Sequence, residues 1–342
     1  MALAVSVRWL HYYKGALSSI CNAMRVSLRS APVIASSRTG IVPEGMFVAR
    51  GGILSLDVET DRPGERLSVH RVTHLPGVEF WSVRDSMRHW AMHHDTFTAS
   101  LVVGKPSMNA SWSYRGRKQE VSSGHLQLME PGEAHRTTRV SEPASFFVIW
   151  WHPDVVRGAA ESLGMRGAVH LKYAQTNHPE LRQAFQGLLA AVQRANDASL
   201  VEAQFLDSTE RLLELCADQK PASRPPGTHP AISKVRARLH DEFAETLSLA
   251  SLASEVGLSK FHVARCFKEA TGVAPHQYQK LLRLQHARRH IERGSSVREA
   301  AAATGFADEA HLSRSFRDWL GISPGAWRRA NAPHQLISLP QQ

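Results

Sequence analysis

The chain of 342 residues has no apolar run near the roughly 18 residues that a membrane-crossing helix needs. Its densest apolar stretch, "FFVIWW" at Phe146–Trp151, has strand length and aromatic composition, so a buried strand is expected there and membrane spanning is excluded. Cysteine is scarce as well. Cys21, Cys216 and Cys266 are odd in number, far apart and without metal-ligand spacing. They form no disulfide framework and point to a reducing compartment, so a cytoplasmic location is expected. Acids are missing from the beginning: Arg8, Lys14, Arg25, Arg29 and Arg38 all precede Glu44. Transit peptides have this bias, and so does sequence upstream of a true start codon. Residues 1–45 are read as a poorly ordered extension or a mis-assigned start, with Met24 and Met46 as the alternative beginnings. Also absent are a phosphate-cradling glycine loop and any Ser-His-Asp or Cys-His arrangement in a familiar local context. No catalytic residue and no cofactor is therefore assigned, and the chain is not expected to be an enzyme.

What is present is a core-forming sequence, 43% hydrophobic, with a net charge of +10. The charge favours a polyanionic partner without separating nucleic acid from an acidic surface or from a basic, solvated exterior. From about Met46 to His152, short apolar runs alternate with turn residues, as in "VSSGHLQLMEPGEAH" at Val121–His135, which predicts an antiparallel sheet or small barrel. Between His178 and Gln219 the period changes to 3.6. Leu181, Phe185, Leu188, Leu189 and Val192 make one stripe. Phe205, Leu206, Leu212, Leu213 and Leu215 make another on a second helix after "NDAS". Such helices pack on the barrel or on a second copy, and a homodimer interface at Leu188, Leu189, Leu212 and Leu213 is one expectation. "DQKPASRPPGTHP", Asp218–Pro230, has four prolines and no large apolar residue, so it reads as a linker.

Past the linker the chain repeats itself. "SKFHVARCFKEATGVAPHQY" (Ser259–Tyr278) lies over "DEAHLSRSFRDWLGISPGAW" (Asp308–Trp327), pairing His262 with His311, Arg265 with Arg314, Phe267 with Phe316, Gly272 with Gly321 and Pro275 with Pro324. Upstream, "LASEVG" and "AAAATG" place Ala253 over Ala301 and Gly257 over Gly305. Each unit predicts a short helix, a tight turn at glycine and a longer helix capped by Ser259 or Asp308. That is a helix-turn-helix, twice, joined by "RLQHARRHIE" (Arg283–Glu292) as a helix of its own. In the second long helix His311, Arg314 and Arg317 share one face, with Leu312, Phe316 and Trp319 opposite.

The pattern "A…GF.D..HLSR.FR..LGISP…RR" resembles the C-terminal signature of the AraC/XylS family of bacterial transcription factors, over about 100 residues. One departure is Trp327, where the family usually has tyrosine; the aromatic anchor is kept. The resemblance implies that the second helix of each unit enters the major groove, with the two helices about one DNA turn, roughly 34 Å, apart. Carried over onto this chain, the reading faces are Lys260, Phe261, His262, Ala264, Arg265 and Lys268, then Glu309, Ala310, His311, Arg314 and Arg317. Arg265 and Arg314 are placed to reach guanine with two donors, and Lys268 and Arg317, one turn on, to meet phosphate. Phe261 either touches a thymine methyl or fills space against the preceding helix.

"WSYRGRKQEVSSGHLQLMEPGEAH", Trp112–His135, is similar to the cupin-type sensor often joined to such DNA-binding units. That similarity implies a small-molecule pocket in the barrel and a helical dimer interface. Pocket candidates are His93, Trp112, Tyr114, Arg115 and His135: an indole or phenol ring could stack on an effector, and Arg115 could pair with a carboxylate. His89, His93, His94 and His135 are the histidines available to a metal, but "HWAMHHDTFTAS" lacks the His-X-His spacing with a following glutamate, so no metal is assigned. The expected architecture is α+β and multidomain: an extension at 1–45, a cupin-like effector-binding and dimerisation domain at 46–217, a linker at 218–230, a double helix-turn-helix at 231–330 and a tail at 331–342. The expected function is a transcription regulator, by family habit an activator, that binds double-stranded DNA and an effector, contacts RNA polymerase and forms a homodimer. The alternatives are a metal-dependent cupin enzyme fused to a DNA-targeting module, and a ligand-independent dimeric regulator.

Overall fold

The structure is a computed structural model, and it describes residues 48–50, 52–104, 110–194, 197–218 and 230–331. The extension at 1–45, most of the linker and nearly all of the tail at 331–342 lie outside the described residues. Strands come first: β1 (Val48–Arg50), β2 (Ile53–Glu59), β3 (Arg66–Val72), β4 (Val78–Ser86), β5 (Ala91–His94), β6 (Phe97–Val103), β7 (Ala110–Tyr114), β8 (Arg117–Val121), β9 (Leu126–Met129), β10 (Glu133–Val140) and β11 (Ala144–Trp151). Helix α1 (Pro153–Ser162), the short strands β12 (His170–Leu171) and β13 (Gln175–Thr176), helices α2 (Pro179–Arg194) and α3 (Ala198–Cys216), and β14 (Ala217–Asp218) follow.

An eight-stranded sheet runs β1-β2-β3-β4-β11-β6-β9-β13, and a four-stranded sheet runs β5-β10-β7-β8. Strand β11 shows why the larger sheet is apolar on both sides. Phe147, Ile149 and Trp151 pack outward into a core completed by α1, α2 and α3. Phe146, Val148 and Trp150 line an internal cavity with the smaller sheet opposite. The period-2 alternation of a strand sends each set to its own face, so a continuous apolar run marks a sheet covered twice.

The stripes of α2 and α3 correct one expectation. Leu188 and Leu213 are fully enclosed and Leu212 nearly so, in the same core as Phe80, Phe147 and Trp151. These three are covered by the chain's own sheet and cannot form a face for a second copy, whereas Leu189 is half-buried at the edge of that core. Each of the three contributes about 1.5–3 kcal/mol by burial.

From Pro230 onward the described residues are helical: α4 (Pro230–Asp241), α5 (Leu249–Glu255), α6 (Lys260–Thr271), α7 (Pro275–Glu292), α8 (Val297–Ala303), α9 (Glu309–Leu320) and α10 (Pro324–Asn331). Ser259 caps α6 by accepting from the His262 N–H at 3.2 Å, and Asp308 caps α9 through the His311 N–H at 2.6 Å. In the second turn Gly305 sits at φ 75°, and a Cβ there would lie 2.1 Å from the carbonyl oxygen of Ala244. Only glycine fits. Val263 and Phe267 on α6, and Leu312 and Phe316 on α9, are fully buried.

The helices do not stand apart from the sheets. Leu56, Val69, Trp81 and Trp150 share one apolar cluster with Leu284, Trp319 and Trp327, while Ala134 of β10 packs among Ile232, Phe267 and Tyr278.

Candidate DNA-reading helices and effector cavity

On α6 the side chains of Lys260, Phe261, Arg265 and Lys268 are exposed, and His262 and Ala264 are half-buried. Phe261 is 85% exposed, which removes the space-filling reading: it touches too little of the preceding helix to be packing. Arg265 makes only a loose 3.9 Å pair with Glu269, both groups open to solvent, so its guanidinium is held by little. On α9, Glu309, Ala310, Arg314 and Arg317 are exposed, while half-buried His311 stacks edge-on against Phe306 with ring centroids 5.2 Å apart. Leu312, Ser315, Phe316 and Trp319 fill the opposite face. All eleven positions singled out from the sequence therefore lie off the packed faces of two helices that occupy equivalent places in two helix-turn-helix units.

The cavity between the sheets has a volume of about 90 Å³. Of the five pocket candidates, it takes Trp112 and His135. The other three lie elsewhere, for reasons of strand parity and charge. His93 alternates with Met92 and His94 on β5, so its ring points away from the cavity, toward α7, where Nδ1 lies 2.8 Å from Gln285 Oε1. Tyr114 stacks behind Trp112 with centroids 5.2 Å apart, and its hydroxyl donates to Glu133. Arg115, at the turn after β7 with φ 49°, is neutralised by Glu130 at 2.7 Å and Glu133 at 2.8 Å.

Sequence reasoning missed Trp81, Trp90, Trp150 and Arg88, all in the cavity wall, and considered His94 only as a metal ligand. The parity of "AMHH" held part of the signal, since Met92 and His94 share a face. The rest came from strands whose facing neighbour is set by tertiary pairing. The ring of His94 stacks on that of His135 at 5.0 Å, 12° from parallel, and lies 5.8 Å from Trp150. Burial pushes the imidazole of His135 down to about 4 and that of His94 well below its ordinary value. Both rings are neutral at pH 7. His89 is exposed and His93 faces the other way. Among the described residues no three His, Cys, Asp or Glu side chains come together as a metal site.

The cavity wall is also a wall of the interface with the helices. Trp81 and Trp150 lie with centroids 4.5 Å apart, and Arg288 of α7 places its guanidinium 4.7 Å from the Trp150 ring, 5.6 Å from Trp81 and 5.4 Å from Trp327 of α10. Arg288 also meets Glu79 of β4 at 3.2 Å and Glu292 at 3.1 Å, and Arg71 of β3 bridges the same two carboxylates at 2.7 and 3.1 Å. Burial pushes the Glu79 carboxyl up, but Arg288 and Arg71 outweigh it and hold the group below its usual range.

Two family models fit the chain: a helix-turn-helix domain at residues 252–330 and an AraC-like ligand-binding domain at residues 109–216. The chain thus matches both domains of AraC-type transcriptional regulators. The HTH-type regulator YbfI of Bacillus subtilis is 26% identical over 196 residues, 56% of this chain and 70% of that protein. The HTH-type transcriptional activator RhaS of Salmonella agona is 26% identical over 242 residues, 68% and 84% of the two chains. The crystal structure of ToxT from Vibrio cholerae covers 75% of this chain and 98% of its own, with a TM-score of 0.42 and 13% identity. This regulator is thus a DNA-binding protein with a ligand-binding domain of AraC type. Among its described residues no helix is long and apolar enough to cross a membrane.

Proposed function

We propose that this regulator reads an operator through the exposed faces of α6 and α9 and that a small molecule in the cavity between its sheets sets how the two helix-turn-helix units are held. The observation that carries the second half is the shared wall: Trp81 and Trp150 face the cavity and at the same time hold Arg288 of α7. A ligand that moves either indole changes the surroundings of a cation seated between sensor and DNA-binding helices, so occupancy has a physical route to the reading heads. Arg265 and Arg314 read bases, Phe261 meets a thymine methyl, and Lys268 and Arg317 bind phosphate. Lys260, His262, Ala264, Glu309, Ala310 and His311 complete the contact faces. The units so described divide the chain at the linker, with the sensor at 46–217 and the DNA-binding domain at 231–330. The protein acts without catalysis, in the cytoplasm, as an activator: the relative from Salmonella agona carries that description, and an activator has to meet RNA polymerase. It works as a homodimer whose contact lies outside the buried leucine stripes; Leu200 at the start of α3, 37% exposed, is one apolar side chain left on that surface.

The test is selection of bound duplexes from a random pool by the purified full chain, followed by sequencing. Two recognition elements about one helical turn apart are expected. A reporter placed behind the selected sequence then reads the sign of regulation. Recovery of no common sequence would sink the operator reading.

A further inference from the structure

The cavity wall carries a small set of polar groups that the protein leaves unused. Four indoles line it, and three of their N–H groups are taken: Trp81 by Glu79, Trp90 by Ser86 at 3.1 Å and Trp112 by Gln175 at 3.2 Å. Trp150 Nε1 has no hydrogen-bond partner, and neither do His94 Nε2 and His135 Nδ1. These three side chains are neighbours along one line of rings, Trp150 beside His94, His94 on His135, and His135 beside Trp112 at 5.8 Å. A buried polar atom left unpaired costs about 1–3 kcal/mol. Three together in a hollow therefore describe a place where something else supplies the partners. Charge narrows the choice. Among the described residues lining the cavity Arg88 is the one permanently charged side chain, and it is already held by Glu65 at 2.6 Å and by Asp61. Glu65 is itself buried. An anion would find no free cation, and an ammonium no free carboxylate. Size narrows it further: about 90 Å³ is somewhat below the roughly 150 Å³ of an apolar cavity that accepts benzene, and Met92 and Met129 in the wall are side chains that adapt readily.

We propose that the cavity binds an uncharged single-ring aromatic carrying a hydroxyl group, of the phenol or benzyl alcohol class, its ring among the indoles, its oxygen accepting from Trp150 Nε1 and its O–H donating a hydrogen bond to the imidazole of His94 or His135. The proposal rests on the effector reading above and gives it a ligand class. A neutral imidazole offers one acceptor nitrogen and an indole one donor, so a hydroxyl satisfies both at once. An apolar arene satisfies neither, and a carboxylate brings a charge that nothing in the wall offsets.

The experiment titrates the full chain at neutral pH with phenol, toluene and benzoate, following tryptophan fluorescence and heat, and measures duplex binding on the same preparations. Phenol is expected to bind at least about tenfold more tightly than either other probe, the scale of one buried hydrogen bond left unmade. His135→Leu and His94→Leu each keep an apolar wall, and thermal melts check their folding. In both, the phenol advantage over toluene should shrink. Ser100→Leu, which fills the cavity from β6, should weaken all three probes. If benzoate or toluene binds best, the ligand class is wrong and the effector cavity stands. If none of the three binds, ligand class and effector reading fall together, while duplex binding judges the operator reading separately. Phenol binding that Ser100→Leu leaves unchanged places the ligand elsewhere and overturns the proposal.

Discussion

Arg314 is exposed on α9 opposite Leu312 and Phe316, so its removal tests DNA reading without touching the core. Arg314→Ala should cost about 1–3 kcal/mol on the selected operator and relax preference at one base pair, with folding unchanged. Lys268→Ala should weaken binding to all sequences alike and lower the salt dependence by about one unit of slope. Binding to every single-base variant of the operator separates the two: equal losses across the variants for Arg314→Ala would make it a phosphate clamp. Buried histidines set a second expectation. Burial pushes His70, His93 and His135 each down to about 4 and His94 well below its ordinary value. These groups are neutral in the folded chain, whereas unfolded histidine takes up a proton near pH 6.5. The unfolded state then binds more protons, so stability is full above pH 6.5 and falls between there and about pH 4. The slope is as much as about 1.4 kcal/mol per pH unit for each such group, with no further loss from His70, His93 and His135 below about pH 4. Urea midpoints across that range check the sign, and His135→Leu should flatten the curve.

Helix α3 carries the correction that matters most among the elements. The 3.6-residue stripe was legible, and so were the helix and its cap: Asp197 accepts from the Ser199 and Leu200 N–H groups at 2.9 and 3.1 Å. What the stripe faces was not legible, because one apolar face fits a sheet and a second copy equally well. Since Leu213 is fully buried against the sheet, Leu213→Asp should destabilise the fold by more than about 3 kcal/mol. A stable monomer released from a dimer is not the expected product. Chemical unfolding together with mass in solution distinguishes the outcomes, and a well-folded variant of halved mass would return Leu213 to a dimer interface. The paired helix-turn-helix units, in contrast, were readable almost residue by residue. Their caps, turn glycines and packed faces are local features, set within a dozen residues of chain.

At the scale of the whole molecule, sensor and DNA-binding helices share apolar and ionic contacts. Arg288 joins Glu79 and Glu292 to three indoles, and the backbone N–H of Asp61 donates to the Gly321 carbonyl at 2.8 Å. Arg288→Ala leaves Glu79 buried with Arg71 as its remaining cation. It should cost about 2 kcal/mol, less than a fully orphaned buried charge, and calorimetry should show one cooperative transition in the native chain broadening or dividing into two. A melt shifted by less than a degree would mean that this contact does not couple the units. A fragment of residues 231–330 keeps the core around Phe267 and Tyr278 but uncovers Leu284, Trp319 and Trp327, so it should fold with lower stability than the same helices have in the full chain.

The sequence by itself determined what periodicity, capping and repetition can encode: β-rich first, helical second, two equivalent helices with their basic faces outward, and Phe146–Trp151 as a buried strand. Tertiary structure decided which side of each apolar element meets which neighbour. It sent Leu188, Leu212 and Leu213 to the sheet, turned His93 toward α7 while His94 faced the cavity, spent Arg115 on Glu130 and Glu133, and assembled the wall of Trp81, Trp90, Trp112 and Trp150 from four separate strands or strand ends. Periodicity along a chain specifies a face but not its partner. The partner follows from strand order and register, which are fixed by contacts between residues far apart in sequence.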